Sequence, residues 1–326
     1  MSVEGEQSLP ARVIDGDPRA VASAISLVEE GAPAGVRVVR ALFERTGRAW
    51  LVGVTGPPGA GKSTLVNGLT AECRRAGRRV GVVAVDPTSP FSGGAVLGDR
   101  VRMQAHAGDG DVFIRSMATR GHLGGLARAT REAALILDAA GYEVVFIETV
   151  GVGQDEVDVA QAADVSVVVL APEFGDDVQA IKAGILEIAD VFVVNKRDRE
   201  GADRAASQLE AMQSLSSPPP GAWRPPVIQT QATTGDGVAD LLAALERFRA
   251  WGDETRSERR CRREDAEIRR LVGEGCWSYI ARAVLRPGEL ADLSARVARR
   301  EVDPYSAAEA IVERALGRRG DAPGRR

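Results

Sequence analysis

The sequence has few of the residues that build metal-carrier or disulfide-bonded proteins. Of its 326 residues, two are histidine and three are cysteine. Cys73, Cys261 and Cys276 are scattered and form no CxxC pair, which weighs against a disulfide framework and favours a reducing, cytoplasmic compartment. His106 and His122 belong to no cluster with metal-ligand spacing. Structural or surface roles are therefore favoured for both over direct metal carriage.

Long apolar runs and an excess of positive charge are also missing. No segment approaches the ~20 apolar residues that a membrane-spanning helix needs, and the N-terminus lacks the basic start and apolar run of a signal peptide. The formal net charge is -4, which offers nucleic acid no electrostatic attraction. The composition predicts a soluble, cytoplasmic protein with neither a membrane nor a nucleic-acid partner.

What the sequence does contain is a phosphate-binding loop. Residues 56–63 read GPPGAGKS, which fits G-x-x-x-x-G-K-[ST], between an apolar run at 49–54 and a helix-like stretch. Glycines let backbone N–H groups surround phosphates, and the helix N-terminus adds partial positive charge. Lys62 is expected to reach the β- and γ-phosphates, and Ser63 to bind Mg²⁺. The nucleotide contacts predicted here are Gly56, Pro57, Pro58, Gly59, Ala60, Gly61, Lys62, Ser63 and Thr64.

A second motif indicates which base is bound. A buried strand predicted at 191–194 leads into Asn195, Lys196, Arg197 and Asp198. The Asp198 carboxylate would accept hydrogen bonds from guanine N1–H and the 2-amino group, and ATP would leave it unpaired. Asn195 is expected to tie this turn to the phosphate loop, and the Lys196 stem to cover the base. A solvated charged turn is the alternative interpretation of these four residues. The motif follows the phosphate loop by about the number of strands in one domain, and this spacing favours binding of GTP and GDP.

Acidic residues at strand ends indicate a Mg²⁺ site. Glu148 follows an apolar strand at 144–147, Asp86 follows one at 82–85, and Asp99 lies in a Gly-rich segment. Each acid alone could be a turn residue or a helix cap. Together Ser63, Asp86, Asp99 and Glu148 would give Mg²⁺ oxygen ligands, completed mostly by water.

The catalytic assignment is less complete than the binding site. Asp86 is the first candidate for orienting the attacking water, and Gln154 is the second. No arginine finger or catalytic glutamine stands out, so we expect slow hydrolysis that a partner accelerates by ordering the loops around the nucleotide.

The order of the apolar segments predicts an α/β fold. Residues 48–252 alternate strands with helices, which indicates a mostly parallel sheet covered by helices on both faces, with the ligand at the carboxyl ends of the strands. Residues 1–47 are expected to form an N-terminal helical arm. Its first helix follows Asp17-Pro18 and ends at Gly31. The apolar faces predicted for its two helices are Val21, Ile25 and Val28, and Val36, Val39 and Phe43.

Residues 253–326 are expected to form a C-terminal helical extension with a disordered tail from 317. Residues 256–270 are dense in mixed charge, which is typical of a solvated helix face. Trp277, Ile280, Ala281 and Val284 then recur at helical spacing, and Asp303-Pro304 begins a last helix. These helices could pack back on the core or form a dimer arm.

Four longer motifs resemble a known family. Residues 86–94 (DPTSPFSGG), 120–126 (RGHLGGL), 148–154 (ETVGVGQ) and 179–185 (QAIKAGI) look like the metallochaperone GTPases of cobalamin-dependent acyl-CoA mutases. The bacterial and mitochondrial methylmalonyl-CoA mutase-associated proteins are the best match, over roughly residues 18 to 316. The resemblance implies a homodimeric GTPase that gates adenosylcobalamin delivery to a mutase and protects or reactivates the loaded enzyme.

The resemblance also identifies residues that couple nucleotide and partner. The family's segment called switch III corresponds to about 171–182, with Asp176 and Lys182 at its acidic and basic positions. Two departures from the family pattern stand out. The base-contacting loop, usually Ser-Ala, reads QATT at 231–234, where the Ala232 N–H would still donate to guanine O6 and Thr233 lies beside it. Residues 171–177 read APEFGDD, which leaves open which mutase is served.

Other functions remain open at this point. A P-loop kinase would need an acceptor-binding lid, and the Asn195–Asp198 pattern argues against it. An ATPase of amino-acid transport would need adenine preference and a membrane partner. A GTPase metallochaperone for another metallocofactor, or a regulatory GTPase without a mutase client, is also compatible with the sequence.

Overall fold

The computed structural model describes residues 7–86, 106, 108–118, 125–149, 163–172, 188–214, 221–252 and 256–317. It divides the chain into two compact units, Met1–Glu254 and Thr255–Arg326. The described part of the first unit contains a parallel sheet with helices, and the described part of the second unit is helical.

The first unit is built on a seven-stranded sheet whose described strand pairs are all parallel. The strands are β1 (Trp50–Thr55), β2 (Val80–Asp86), β3 (Val112–Ala118), β4 (Val144–Glu148), β5 (Val165–Leu170), β6 (Val191–Asn195) and β7 (Val227–Thr230). Their order across the sheet is β3-β2-β4-β1-β5-β6-β7. The connections change direction at β1, and a ligand is expected beyond the carboxyl ends of the strands at such a point.

Helices cover both faces of this sheet, as the sequence predicts. They are α1 (Leu9–Ile14), α2 (Pro18–Glu29), α3 (Pro33–Leu42), α4 (Lys62–Arg75), α5 (Gly125–Ala139), α6 (Ala202–Ser214) and α7 (Val238–Gly252). One buried core joins α4 and α7 to the sheet, and a second joins α1, α2, α3 and α5 to its other face. Every residue of β4, β5 and β6 is buried, which is why these strands read as continuous apolar runs.

The N-terminal helical segment is present and packs on α5. The Asp17 carboxylate accepts hydrogen bonds from the backbone N–H groups of Arg19 (2.8 Å) and Ala20 (3.4 Å), so α2 begins where the sequence predicts. Arg12 donates to the same carboxylate and, as the largest cause, lowers the pKa of Asp17. The short helix α1 was not predicted, because six residues give too little periodicity to detect.

The apolar face predicted for α3 was confirmed at Val39, which is half-buried against the core, and wrong at its other two positions. Val36 and Phe43 are exposed, and the buried positions are Gly35, Val38 and Leu42. The reason is the close approach of α3 to α2: a Cβ added at Gly35 would lie 2.8 Å from the Leu27 carbonyl oxygen. The helix therefore turns its glycine, rather than its bulkier side chains, toward its neighbour.

A buried carboxylate fixes the entry to β1. Asp138, on α5, accepts hydrogen bonds from the backbone N–H groups of Arg48 (3.2 Å) and Ala49 (2.9 Å), and also from that of Gly47. Three backbone donors that precede a strand are thus satisfied by one side chain from a distant helix.

The second unit consists of helices throughout much of its described length. They are α8 (Arg256–Tyr279), a π-helix (Ile280–Val284), α9 (Glu289–Ala298) and α10 (Pro304–Gly317). The last helix begins at the predicted place, where Asp303 Oδ1 accepts a hydrogen bond from the Ser306 backbone N–H at 2.9 Å. Val284 and Ile311 are buried within this unit, whereas Trp277 is exposed. Among the described helices of the protein, none has the length and apolar composition needed to cross a membrane.

Candidate nucleotide-binding site

The phosphate-loop motif lies between the end of β1 and the start of α4, the context that the sequence predicts. Gly56 and Gly61 both have positive φ, of 136° and 93°. A Cβ added at Gly56 would lie 2.0 Å from the Val169 carbonyl oxygen, and one at Gly61 would lie 2.3 Å from Asn195 Nδ2. Only glycine fits at these two positions, because both the backbone conformation and the space exclude a side chain.

Lys62 is the first residue of α4 and is almost fully buried. Its ammonium group donates hydrogen bonds to the carbonyl oxygens of Gly56 (2.8 Å) and Pro57 (3.0 Å). The lysine is therefore held across the loop whose backbone N–H groups are expected to bind phosphate. Contact of this ammonium group with the β- and γ-phosphates stays a prediction.

Ser63 and Glu148 meet at the centre of the site. The Ser63 hydroxyl donates to Glu148 Oε1 at 2.5 Å, and both residues are buried. The pair arises because β1 and β4 are neighbours, with Val54 opposite Glu148 in the register. A hydroxyl oxygen and a carboxylate next to a phosphate loop are the hard oxygen ligands that Mg²⁺ prefers, so these two predicted ligands are suited to that ion.

The other predicted metal and catalytic residues have no described side chain. Asp86 is the last residue of β2, two residues beyond Ala84, which lies opposite Glu148. The Asp86 backbone therefore lies at the carboxyl end of β2, the edge of the sheet where the sequence predicts it. The Asp86 side chain and all of Asp99, Gln154 and Lys182 lie outside the described residues, and their roles stay predictions.

A buried amide joins the phosphate loop to the turn that follows β6. Asn195 Nδ2 donates to the Ala60 carbonyl oxygen at 2.8 Å, which is the link expected from the sequence. Asn195 Oδ1 accepts hydrogen bonds from Thr230 Oγ1 and from the Ala232 backbone N–H, both at 3.0 Å. Sequence reasoning missed Thr230, for which the only signal is a hydroxyl at the end of a strand.

The turn after β6 presents the residues predicted to contact the base. Lys196 is in the left-handed region, with φ of 60°, and Asp198 is exposed. Ala232 is half-buried and Thr233 is exposed on the loop after β7. The structure thus brings the two predicted base-contacting segments side by side, through the parallel pairing of β6 with β7. Contact of these residues with guanine stays a prediction.

The histidines add no metal site in the described part of the chain. His106 Nε2 lies 3.4 Å from the Asn67 carbonyl oxygen, and His122 lies outside the described residues. No group of three or more His, Cys, Asp or Glu side chains in the described residues is arranged to hold a metal.

Known proteins are similar in sequence to this chain along most of its length. Residues 21–283 match a family described as methylmalonyl Co-A mutase-associated GTPase MeaB. A relative from Pyrococcus abyssi is 48% identical over 310 residues, which cover 94% of this chain and 95% of the relative. A Caenorhabditis elegans protein named mitochondrial methylmalonic aciduria type A homolog is 36% identical over 260 residues, which cover 74% of this chain and 65% of that protein.

A solved structure has the same fold. The protein named LAO/AO transport system kinase is 26% identical to this chain, with a TM-score of 0.73, and the alignment covers 96% of this chain and 99% of that one. This agreement in fold and length supports the parallel-sheet architecture described above.

Proposed function

Because the chain belongs to the MeaB family of methylmalonyl-CoA mutase-associated GTPases, we propose that this GTPase gates adenosylcobalamin loading of a cobalamin-dependent acyl-CoA mutase, and protects or reactivates that enzyme. The observation that carries the proposal is the family match over residues 21–283. Methylmalonyl-CoA mutase or a close relative is the proposed client. The three free cysteines support a reducing, cytoplasmic setting.

Guanine recognition is assigned to the turn after β6 and the loop after β7. In the proposed complex, Asp198 accepts hydrogen bonds from guanine N1–H and the 2-amino group, and the Lys196 stem covers the base. A backbone N–H at Ala232 or Thr233 donates to O6. The Ala232 N–H already donates to Asn195 Oδ1, so its contact with O6 would be shared with that bond. Adenine offers neither donor that Asp198 requires, and GTP is favoured for that reason.

Hydrolysis of GTP requires positioning and charge neutralisation more than covalent chemistry. Lys62 would move from the carbonyl oxygens of Gly56 and Pro57 to the β- and γ-phosphate oxygens. Ser63 and Glu148, with Asp86 and Asp99, would hold Mg²⁺, which when bound neutralises phosphate charge. Asp86, or in second place Gln154, would orient the attacking water.

Coupling to the client is assigned to residues 171–182, which begin at the end of β5. β5 pairs with β1 and β6, so the segment starts at the sheet edge that carries the phosphate loop and Asn195. Asp176 and Lys182 are the residues proposed to respond to the nucleotide and to the mutase. A nucleotide can shift this segment between two conformations only if it binds one of them more tightly than the other.

A homodimer is proposed for the second unit. On α8, Ile268, Leu271, Val272 and Tyr279 recur at helical spacing and are between 47% and 59% exposed. Such an exposed stripe is suited to pairing with the same stripe of a second copy. Sedimentation equilibrium of the wild type and of Ile268→Glu tests it: the wild type should sediment as a dimer and the variant as a monomer.

Two experiments test the client assignment. Affinity capture from the source cell, with the protein held in its GTP state, should retain an acyl-CoA mutase. Lys182→Ala should reduce mutase-stimulated GTP hydrolysis much more than intrinsic hydrolysis or GDP affinity. The matched control is Arg204→Ala, which removes an exposed cation from α6. Equal stimulation of wild type and Lys182→Ala, with normal adenosylcobalamin transfer, would leave residues 171–182 as ordinary surface.

The name of the solved relative, LAO/AO transport system kinase, agrees with the kinase and transport-ATPase alternatives raised from the sequence. A kinase or transport ATPase would bind ATP, whereas the turn from Asn195 to Asp198 favours guanine. Isothermal titration with GTP and ATP separates the two. We expect discrimination against ATP of roughly 10²-fold or more, as a site built from hydrogen-bonding groups gives.

A further inference from the structure

An ion pair joins the two segments predicted to contact the base. Arg197 lies in the turn after β6, between Lys196 and Asp198, and its guanidinium is 2.9 Å from the Asp236 carboxylate. Asp236 lies at the far end of the loop after β7, residues 231–236, which we call the base loop. The Arg197 backbone N–H also donates to the Thr230 carbonyl oxygen at 3.0 Å, just before this loop begins. Arg197 therefore contacts the base loop region at both of its ends.

Backbone hydrogen bonds join the two ends of the base loop, so fixing the position of one end also restrains the other. The Gln231 backbone N–H donates to the Asp236 carbonyl oxygen at 2.9 Å, and the Gln231 carbonyl oxygen accepts from Thr234 and Gly235, both at 3.0 Å. These bonds enclose Ala232 and Thr233. Holding the Asp236 carboxylate in place consequently holds the two residues whose backbone is expected to face guanine O6.

The buried and exposed sides of the base loop are fixed by different residues. On the buried side, Asn195 Oδ1 accepts the Ala232 N–H. On the exposed side, the Arg197–Asp236 ion pair holds the base loop. The Arg197 side chain is 46% exposed and the Asp236 side chain is 56% exposed. Asn195 thus holds the base loop from the buried side, and Arg197 holds it from the exposed side.

We propose that Arg197 is a positioning residue, which through Asp236 holds the base loop at the distance from the turn after β6 that a 6-oxopurine requires. This inference rests on the guanine specificity proposed above. The Arg197–Asp236 pair therefore affects the binding of GDP and IDP equally, because both bases carry O6. Discrimination by the 2-amino group stays with Asp198, since IDP lacks only that group.

The test is isothermal titration of GDP and IDP into the full-length protein. The variants are Arg197→Ala, Asp236→Ala, and the exchanged pair Arg197→Asp with Asp236→Arg. Each single variant should weaken both ligands by the same factor, about 1.5- to 5-fold, the range for exposed ion pairs. The exchanged pair should recover most of that loss. High salt should narrow the difference in affinity between wild type and the single variants, because salt screens the exposed ion pair.

The matched control is Arg78→Ala, which removes another ion pair of the first unit, to Glu246 at 2.5 Å, and should leave both affinities unchanged. Thermal unfolding of each variant confirms that the fold is kept. Unchanged GDP affinity in the single variants, a loss confined to GDP, or no recovery in the exchanged pair would overturn the positioning role. Wild type is titrated with ADP as well: if it shows no preference for GDP, the proposed guanine specificity fails first and independently.

Discussion

The side-chain amide of Asn195 donates to the carbonyl oxygen of Ala60 at 2.8 Å, so the end of β6 is fastened to the phosphate loop. The same side chain accepts hydrogen bonds from Thr230 and Ala232. It is buried, and a Cβ at Gly61 would collide with it. One amide therefore fixes the phosphate loop, the turn after β6 and the base loop relative to one another.

The first prediction concerns Gly61. Gly61→Ala should destabilise the fold more than Gly59→Ala, by more than about 1 kcal/mol, because only the former adds a clash with Asn195. Gly59 is the matched control, since it also has positive φ, of 79°, but its added Cβ would meet nothing within 4 Å. Urea unfolding of both variants measures the difference. An equal loss of stability in the two variants would show that the phosphate loop moves to make room for the added Cβ beside Asn195.

The second prediction concerns the buried lysine. Lys62→Ala should keep the fold, while GTP hydrolysis falls by roughly 10²-fold or more, because a preorganised charge partner of the transition state is removed. Circular dichroism and phosphate release are measured on the same preparation. Hydrolysis at the wild-type rate by a folded variant would refute the role of Lys62.

The third prediction concerns the base. Asp198→Asn should shift preference from GTP toward XTP, because an amide can donate to the 2-oxo group that replaces the 2-amino group. Competition between the two nucleotides for wild type and variant gives the result. A variant that loses GTP and gains nothing for XTP would show that Asp198 does not contact the base.

The fourth prediction concerns thiol reactivity. Cys73 lies on the buried face of α4, and burial raises its pKa to about 11, whereas Cys261 and Cys276 are exposed. The thiolate is the reactive form, so iodoacetamide at pH 8 should leave Cys73 unmodified in the native protein and alkylate it only in denaturant. Intact-mass spectrometry counts the adducts. Three adducts on the native protein would mean that the α4 core opens readily.

Much of the fold follows from the sequence because its signals are local. The apolar runs of β4, β5 and β6 are buried on both faces, so each identifies a strand without knowledge of its neighbours. Asp17 caps α2 through backbone groups only two and three residues away. Such features can be read in a window of a few residues.

What the sequence could not supply depends on distant contacts. The buried face of α3 is set by the approach of Gly35 to the Leu27 carbonyl, which the spacing of apolar residues does not encode. Asp138 accepts backbone donors about 90 positions away in the chain. In the site, Thr230 and the Arg197–Asp236 pair are brought together only by the pairing of β6 with β7.

The most direct test of the proposed function is GTP hydrolysis measured with and without a purified client, methylmalonyl-CoA mutase from the same source. Phosphate release is followed at saturating GTP and Mg²⁺ while the mutase is titrated. If the GTPase is coupled to the mutase, hydrolysis should rise with mutase and saturate, and Lys62→Ala should remain inactive throughout. A rate that stays at its intrinsic value at every mutase concentration would contradict the proposed coupling.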